Sequence, residues 1–298
     1  RQMIGQGSGV VIAEGYVVTN YHVVEDGNTY QVLLPSGEYA DATLTGYDDS
    51  TDLAVLKVDS DELVPVAIGS SSELVVGSTV FAIGNPGGTV LANTMTSGIV
   101  SSLERTSVSA DNATRAISYI QHDAAINSGN SGGGLFNING ELVGITSMKL
   151  SNNGYLGTAA IEGIGFAIPV NTVADVASDL ITYGEVQTPR LGVTVQEILS
   201  DYDEPTEDSL PRGLLVINVE ADSPASEAGI QPYDVIVRAD GERIESVDDL
   251  SSILQSHEIG EFIEVTVYRI EGLRSSSAVL DYSQGEEITM SVEVRVID

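Results

Sequence analysis

The 298-residue chain has no cysteine and no tryptophan, and its only lysines are Lys57 and Lys149. Without cysteine it can form neither a disulfide framework nor a thiolate metal site, which leaves its redox compartment open. No run of 18 apolar residues occurs, so these residues are not expected to cross a membrane as a helix. The chain starts at Arg1 rather than Met, which leaves room for a processed signal or anchor upstream.

Basic residues number 12 against 44 acidic ones, for a formal net charge of -32. Such a surface repels nucleic acid and anionic lipid, and repels itself, so the folded state loses stability at low salt. The bland interpretation is a very soluble acidic protein. The sharper one is salt adaptation, because at ~1 M salt the Debye length falls to about 3 Å and self-repulsion is screened. Disorder is not expected, since 42% of residues are hydrophobic and mean hydropathy is +0.10. The length suits two domains.

From residue 8 to 170 the pattern is short β-branched runs broken by Gly, Pro, Asn and Asp. Val10–Ile12 turns at Glu14-Gly15 into Tyr16–Thr19, and Phe136–Ile138 turns at Asn139-Gly140 into Leu142–Ile145, a strong hairpin signal. Many short strands with such turns predict an antiparallel barrel or sandwich. The first good helix is expected over Asn171–Tyr183, with Asn171 as N-cap and Gly184 as the stop. After Pro189 a second, α+β unit is expected. Its strands fall near 191–198, 213–219, 233–238, 262–269 and 286–297, and its helices near 224–228 and 247–256, the latter opened by a Ser246/Asp249 capping box. The boundaries predicted are 1–186 and 187–298.

Peptide hydrolysis by a hydroxyl needs a nucleophile, a base, a carboxylate to orient the base, and N–H donors for the oxyanion. Ser131 lies in Gly129-Asn130-Ser131-Gly132-Gly133, whose glycines permit a sharp turn that exposes the hydroxyl. The Gly129 and Ser131 amides are the candidate oxyanion donors. No Lys follows these glycines, so a phosphate-binding P-loop is disfavoured. His22, one of three histidines, ends the strand-like run before it, and Asp52 opens an apolar run, with Asp48 and Asp49 as rivals. Each alone also fits an ordinary core histidine, turn aspartate or glycine-rich turn. Together, His, Asp and Ser follow the chain order of chymotrypsin-type barrels.

Several blocks then resemble the HtrA (DegP-like) family of serine proteases over nearly the whole length. These are Gly7–Ile12 with Gly15–Val24, TDLAVLK at Thr51–Lys57, VGSTVFAIGNP at Val76–Pro86, Thr96–Ser101, Asp123–Gly133 and GIGFAIP at Gly163–Pro169. The sequence departs from the family at Ser128, Gly134 and His122, the last where Thr is usual. The resemblance implies a chymotrypsin-like double β-barrel protease domain, mainly β, followed by an α+β PDZ domain. It implies a catalytic triad of His22, Asp52 and Ser131, an activation-sensing Arg105 in a loop after Leu103, and no cofactor or metal.

In the second unit, Arg190-Leu191-Gly192-Val193 resembles the PDZ carboxylate-binding loop, and Ser223–Ile236 the block beyond it. The implied function is ATP-independent endoproteolysis of unfolded or exposed polypeptides, with peptide C-termini held at the PDZ groove. Small aliphatic residues before the scissile bond, a specificity pocket from loops near 128–131 and 147–165, a homotrimer or multiple of it, and an extracytoplasmic or membrane-anchored location are further implications. The alternative is a peptide-binding chaperone or scaffold with a dormant barrel.

Overall fold

The computed structural model describes residues 5–107, 117–147, 163–198, 209–270 and 282–297. It divides into two compact units, Arg1–Val186 and Gln187–Asp298.

In the first unit, β1 (Val10–Ala13), β2 (Tyr16–Asn20), β3 (Tyr30–Leu33), β4 (Tyr39–Asp48) and β5 (Leu53–Val58) form an antiparallel sheet in the order β1-β2-β5-β4-β3, with one helical turn, α1 (Tyr21–Val24), after β2. The strands β6 (Thr79–Gly84), β7 (Thr94–Ser107), β8 (Ile117–His122), β9 (Gly134–Phe136), β10 (Leu142–Ser147) and β11 (Gly165–Pro169) close a barrel in the order β10-β11-β8-β7-β6-β9. The Asn139-Gly140 hairpin joins β9 to β10 as expected, with Gly140 at φ +77°.

Strand β5 is buried at every position except Lys57, so it reads as an uninterrupted apolar run rather than an alternating one. Its Leu53 and Val55 share a core with Leu142, Ile145 and Ile168 of the barrel. That core is closed by α2 (Val170–Thr182), whose Val173, Val176, Ala177 and Leu180 recur at helical spacing and are buried. Each fully buried aliphatic side chain of this size contributes on the order of 1.5–3 kcal/mol. This packing fixes the sheet against the barrel, and the candidate site lies where they meet.

Asn171 does not cap α2. The helix begins one residue earlier, Pro169 takes the cap position, and the Asn171 Oδ1 instead accepts the Ser71 N–H at 3.2 Å.

The second unit contains β12 (Pro189–Arg190), β13 (Val193–Ile198), β14 (Gly213–Val219), α3 (Pro224–Ala228), β15 (Val235–Ala239), β16 (Glu242–Arg243), α4 (Val247–Gln255), β17 (Phe262–Arg269), β18 (Glu286–Glu293) and β19 (Arg295–Val296). The main sheet runs β13-β14-β15-β17-β18, with β16 beside β15, while β12 pairs with β19. Ser246 and Asp249 form the expected capping box on α4. Leu250 and Leu254 of α4 enter a core with Leu191, Leu214, Ile236, Ile263 and Val292.

Candidate active site

The loop from β4 to β5 places Asp52. Asp48 serves the turn itself. Its carboxylate accepts hydrogen bonds from the N–H and hydroxyl groups of both Ser50 and Thr51, and so staples the turn. The chain leaves this turn through Asp52 at φ +56°, a left-handed conformation that Asp tolerates better than most residues. Asp52 is buried, and its carbonyl accepts from the Tyr21 N–H and the Asn20 Nδ2, both at 3.0 Å. Its carboxylate accepts from the His22 N–H at 3.0 Å and meets His22 Nδ1 at 2.9 and 2.8 Å. One residue thus anchors α1 and fixes the imidazole that α1 carries. A carboxylate can only accept, so the proton of a neutral His22 sits on Nδ1 and Nε2 is left as the acceptor.

Ser147, at the end of β10, donates to Asp52 Oδ2 at 3.0 Å. Its neighbour Thr146 donates to the Asn130 carbonyl at 2.7 Å. Adjacent residues of one strand therefore hold the acid and the serine turn. Nothing around Ser147 in the sequence marks it. Tyr119 is packed nearby, and burial first, then the negative charges of Asp52 and Asp48, push its hydroxyl up to about 12, so it stays neutral.

The structure brings Ser131 against the same wall. The Ser131 carbonyl accepts the Ser8 N–H at 2.8 Å, and the Gly132 N–H donates to Thr146 O at 2.9 Å. Gly132, at φ +81°, approaches so closely that a Cβ there would collide with Ser8 O and Thr19 Oγ1 and would crowd the Asn20 N–H. Gly129 has φ +102°, and a Cβ would strike Asn85 O, so only glycine fits. The Ser128 carbonyl accepts the Gly87 N–H at 2.9 Å. In a trans peptide the N–H lies opposite the C=O, so the Gly129 N–H points away from Gly87.

Arg105 lies within β7, its backbone in register with Tyr119, and not in a loop as expected. His122 ends β8. It is fully buried, and among the described residues neither ring nitrogen has a partner at good hydrogen-bond geometry. Burial pushes it down to about 4, against a smaller upward pull from the Ala124 backbone and the Asp123 carboxylate. Of the loops expected to form a specificity pocket, residues 148–162 lie outside the described residues.

In the second unit, Leu191 is buried and Gly192 has φ +75°, with its Cβ position against Ser223. The Leu191 and Gly192 carbonyls accept from Ala225 and Glu220 N–H, whereas neither of their own N–H groups donates among the described residues. Among the described residues, strand β13 ends the sheet and pairs with β14 alone. The first N–H of α4, on Val247, donates to Glu197 of β13 at 3.1 Å. An edge strand beside a helix, preceded by free amides, can accept an extended peptide.

Among the described residues no helix is long and apolar enough to cross a membrane, and no group of three or more His, Cys, Asp or Glu could hold a metal.

Residues 7–145 match the trypsin-like peptidase domain family and residues 189–294 match the PDZ domain family. A "Serine protease Do-like HtrA" of Lactococcus lactis subsp. cremoris is 41% identical over 280 residues, covering 90% of this chain and 69% of that protein. A "Probable periplasmic serine endoprotease DegP-like" of Brucella suis is 41% identical over 269 residues, covering 89% and 50%. Among solved structures, "HtrA-type protease AlgW with decapeptide" superposes with a TM-score of 0.77 at 32% identity, covering 98% of this chain and 83% of that one.

Proposed function

The chain belongs to the HtrA family of Do-like serine proteases, and from that premise we propose that His22, Asp52 and Ser131 are the catalytic triad of this serine endopeptidase. The observation that carries the assignment is the His22–Asp52 pair at 2.8 Å, beside the Ser131 turn and with Nε2 left to accept a proton. His22 Nε2 takes the Ser131 proton as Oγ attacks the scissile carbonyl. The carbonyl oxygen becomes an oxyanion received by the Gly129 and Ser131 N–H groups. His22 then gives the proton to the leaving amine, and water repeats the sequence on the acyl-enzyme. Asp52 stays ionised, holds the tautomer and stabilises the imidazolium. No step needs a metal or nucleotide.

Substrates are unfolded or exposed polypeptides. Peptide C-termini dock along β13, with their carboxylate at the Leu191-Gly192-Val193 amides beside Arg190. The decapeptide named with AlgW and the open edge of β13 support this reading. The periplasmic relative supports an extracytoplasmic site of action, and family membership supports a homotrimer or a multiple of it. The net charge of -32 supports salt adaptation. The test of the triad is casein hydrolysis by the wild type and by Ser131→Ala. Cleavage lost with the substitution upholds it, and cleavage retained by Ser131→Ala removes Ser131 as nucleophile.

A further inference from the structure

We propose that Ser8 is a positioning residue for the oxyanion donors, an inference that rests on the assignment of the Gly129 and Ser131 amides to that role. Ser8 precedes β1 and is 6% exposed. Its hydroxyl donates to the Gly129 carbonyl at 2.7 Å and accepts from the Asn85 N–H at 2.8 Å and the Asn85 Nδ2 at 3.2 Å. One donor and two acceptor sites are all that a hydroxyl has, so this one is saturated. The Ser8 main chain grips the other side of the site, its N–H donating to Ser131 O at 2.8 Å and its carbonyl accepting the Thr19 hydroxyl at 2.7 Å.

The consequence concerns two peptide planes. Gly129 has little intrinsic restraint on its backbone, because glycine rotates at little steric cost. The Gly129 N–H lies in the peptide plane before Gly129, while the plane after it fixes where the Gly129 Cα, and with it that N–H, sits relative to Ser131. The plane before Gly129 is held through Ser128 O by Gly87 N–H, and the plane after it through Gly129 O by the Ser8 hydroxyl. Asn85 orients that hydroxyl from two sides and is itself fixed by accepting the Asn93 N–H at 2.9 Å. Ser8 touches no reacting atom in this scheme. It acts by keeping a donor where negative charge develops, which influences the transition state more than the bound substrate.

The experiment compares Ser8→Ala, Ser8→Thr and Asn85→Ala with the wild type in the full chain. It uses kcat and KM on a chromogenic peptide, affinity for a peptide boronate that forms a tetrahedral adduct, and the melting midpoint. Loss of one oxyanion donor costs about 10²–10³-fold in kcat, so its misalignment in Ser8→Ala is expected to cost roughly 10–100-fold. KM should stay within about twofold, boronate affinity should fall in parallel, and Ser8→Thr should recover most of both. Values of kcat and boronate affinity within twofold of wild type for a folded Ser8→Ala overturn the proposal, as does a folded Ser8→Thr that recovers neither. If Ser8→Ala does not fold, Asn85→Ala carries the test, with kcat expected to drop about 3–10-fold at unchanged KM, and an unchanged kcat overturns the role. Ser131→Ala is run alongside, because activity surviving in it sinks the triad rather than the part assigned to Ser8.

Discussion

Ser147 donates its hydroxyl hydrogen bond to the Oδ2 of Asp52 at 3.0 Å, joining residues 95 positions apart in the sequence and both almost fully buried. Bonds to a buried charged group are worth about 1.5–3 kcal/mol, and this one helps to hold the Asp52 carboxylate against His22. Ser147→Ala is therefore expected to fold and to lose about tenfold in kcat/KM, 1.4 kcal/mol being a factor of ten. Steady-state kinetics on a peptide substrate check it. An unchanged kcat/KM would reduce Ser147 to a packing residue.

Asp52→Asn separates orientation from folding. Asn adopts the φ of +56° as readily as Asp, so the turn should persist. An amide NH₂ facing Nδ1 moves the imidazole proton to Nε2, which then cannot accept from Ser131. The expected loss in kcat is about 10⁴-fold with the melting midpoint within a few degrees. Asp48→Asn should leave kcat nearly unchanged, since that carboxylate only staples the turn. A large kcat loss in Asp48→Asn would reverse the assignment of the two residues.

The contrast between these two aspartates shows where the sequence stopped being legible. His22, Asp52 and Ser131 could be singled out because each sits in a local pattern, a strand end, an apolar run or a glycine turn. The two hairpins and α4 were legible for the same reason, since Glu14-Gly15, Asn139-Gly140 and the capping box act within a few residues. Ser8 and Ser147 carry no such mark, because their hydroxyls reach partners about a hundred residues away. Arg105 was expected in a loop only because the family resemblance puts one there, whereas its backbone pairs with Tyr119 of β8 and so continues β7.

His122 gives the barrel a dependence on acid. In the folded protein burial holds it near 4, whereas in the unfolded chain it titrates near its ordinary value of about 6.5. Between those pH values the unfolded state binds the extra proton, so stability is fully present above about 6.5 and declines as pH falls toward 4. A difference of about 2.5 units corresponds to roughly 3 kcal/mol. Denaturant unfolding at pH 7.5, 6, 5 and 4.5 should show this decline for the wild type and a smaller one for His122→Thr. Equal slopes in the two proteins would mean that other groups govern the acid response.

The net charge of -32 makes a prediction that no single contact makes. With only 12 cations for 44 anions, most acidic side chains have no oppositely charged neighbour to pair with, and the repulsion falls on both units. Salt screens it over a Debye length of about 10 Å at 0.1 M and about 3 Å at 1 M. The melting midpoint and casein hydrolysis should therefore both rise steeply from 0.1 to 1 M sodium chloride, more than screening alone would give an ordinary protein of balanced charge. Beyond 1 M little repulsion remains to be screened, so any further gain must come from the exclusion of salt from the surface, which strengthens apolar burial. Comparing sodium chloride with sodium sulfate at equal ionic strength separates the two. A midpoint equally high in low-salt buffer would show that the acidic surface is tolerated without salt, and would remove the argument for salt adaptation.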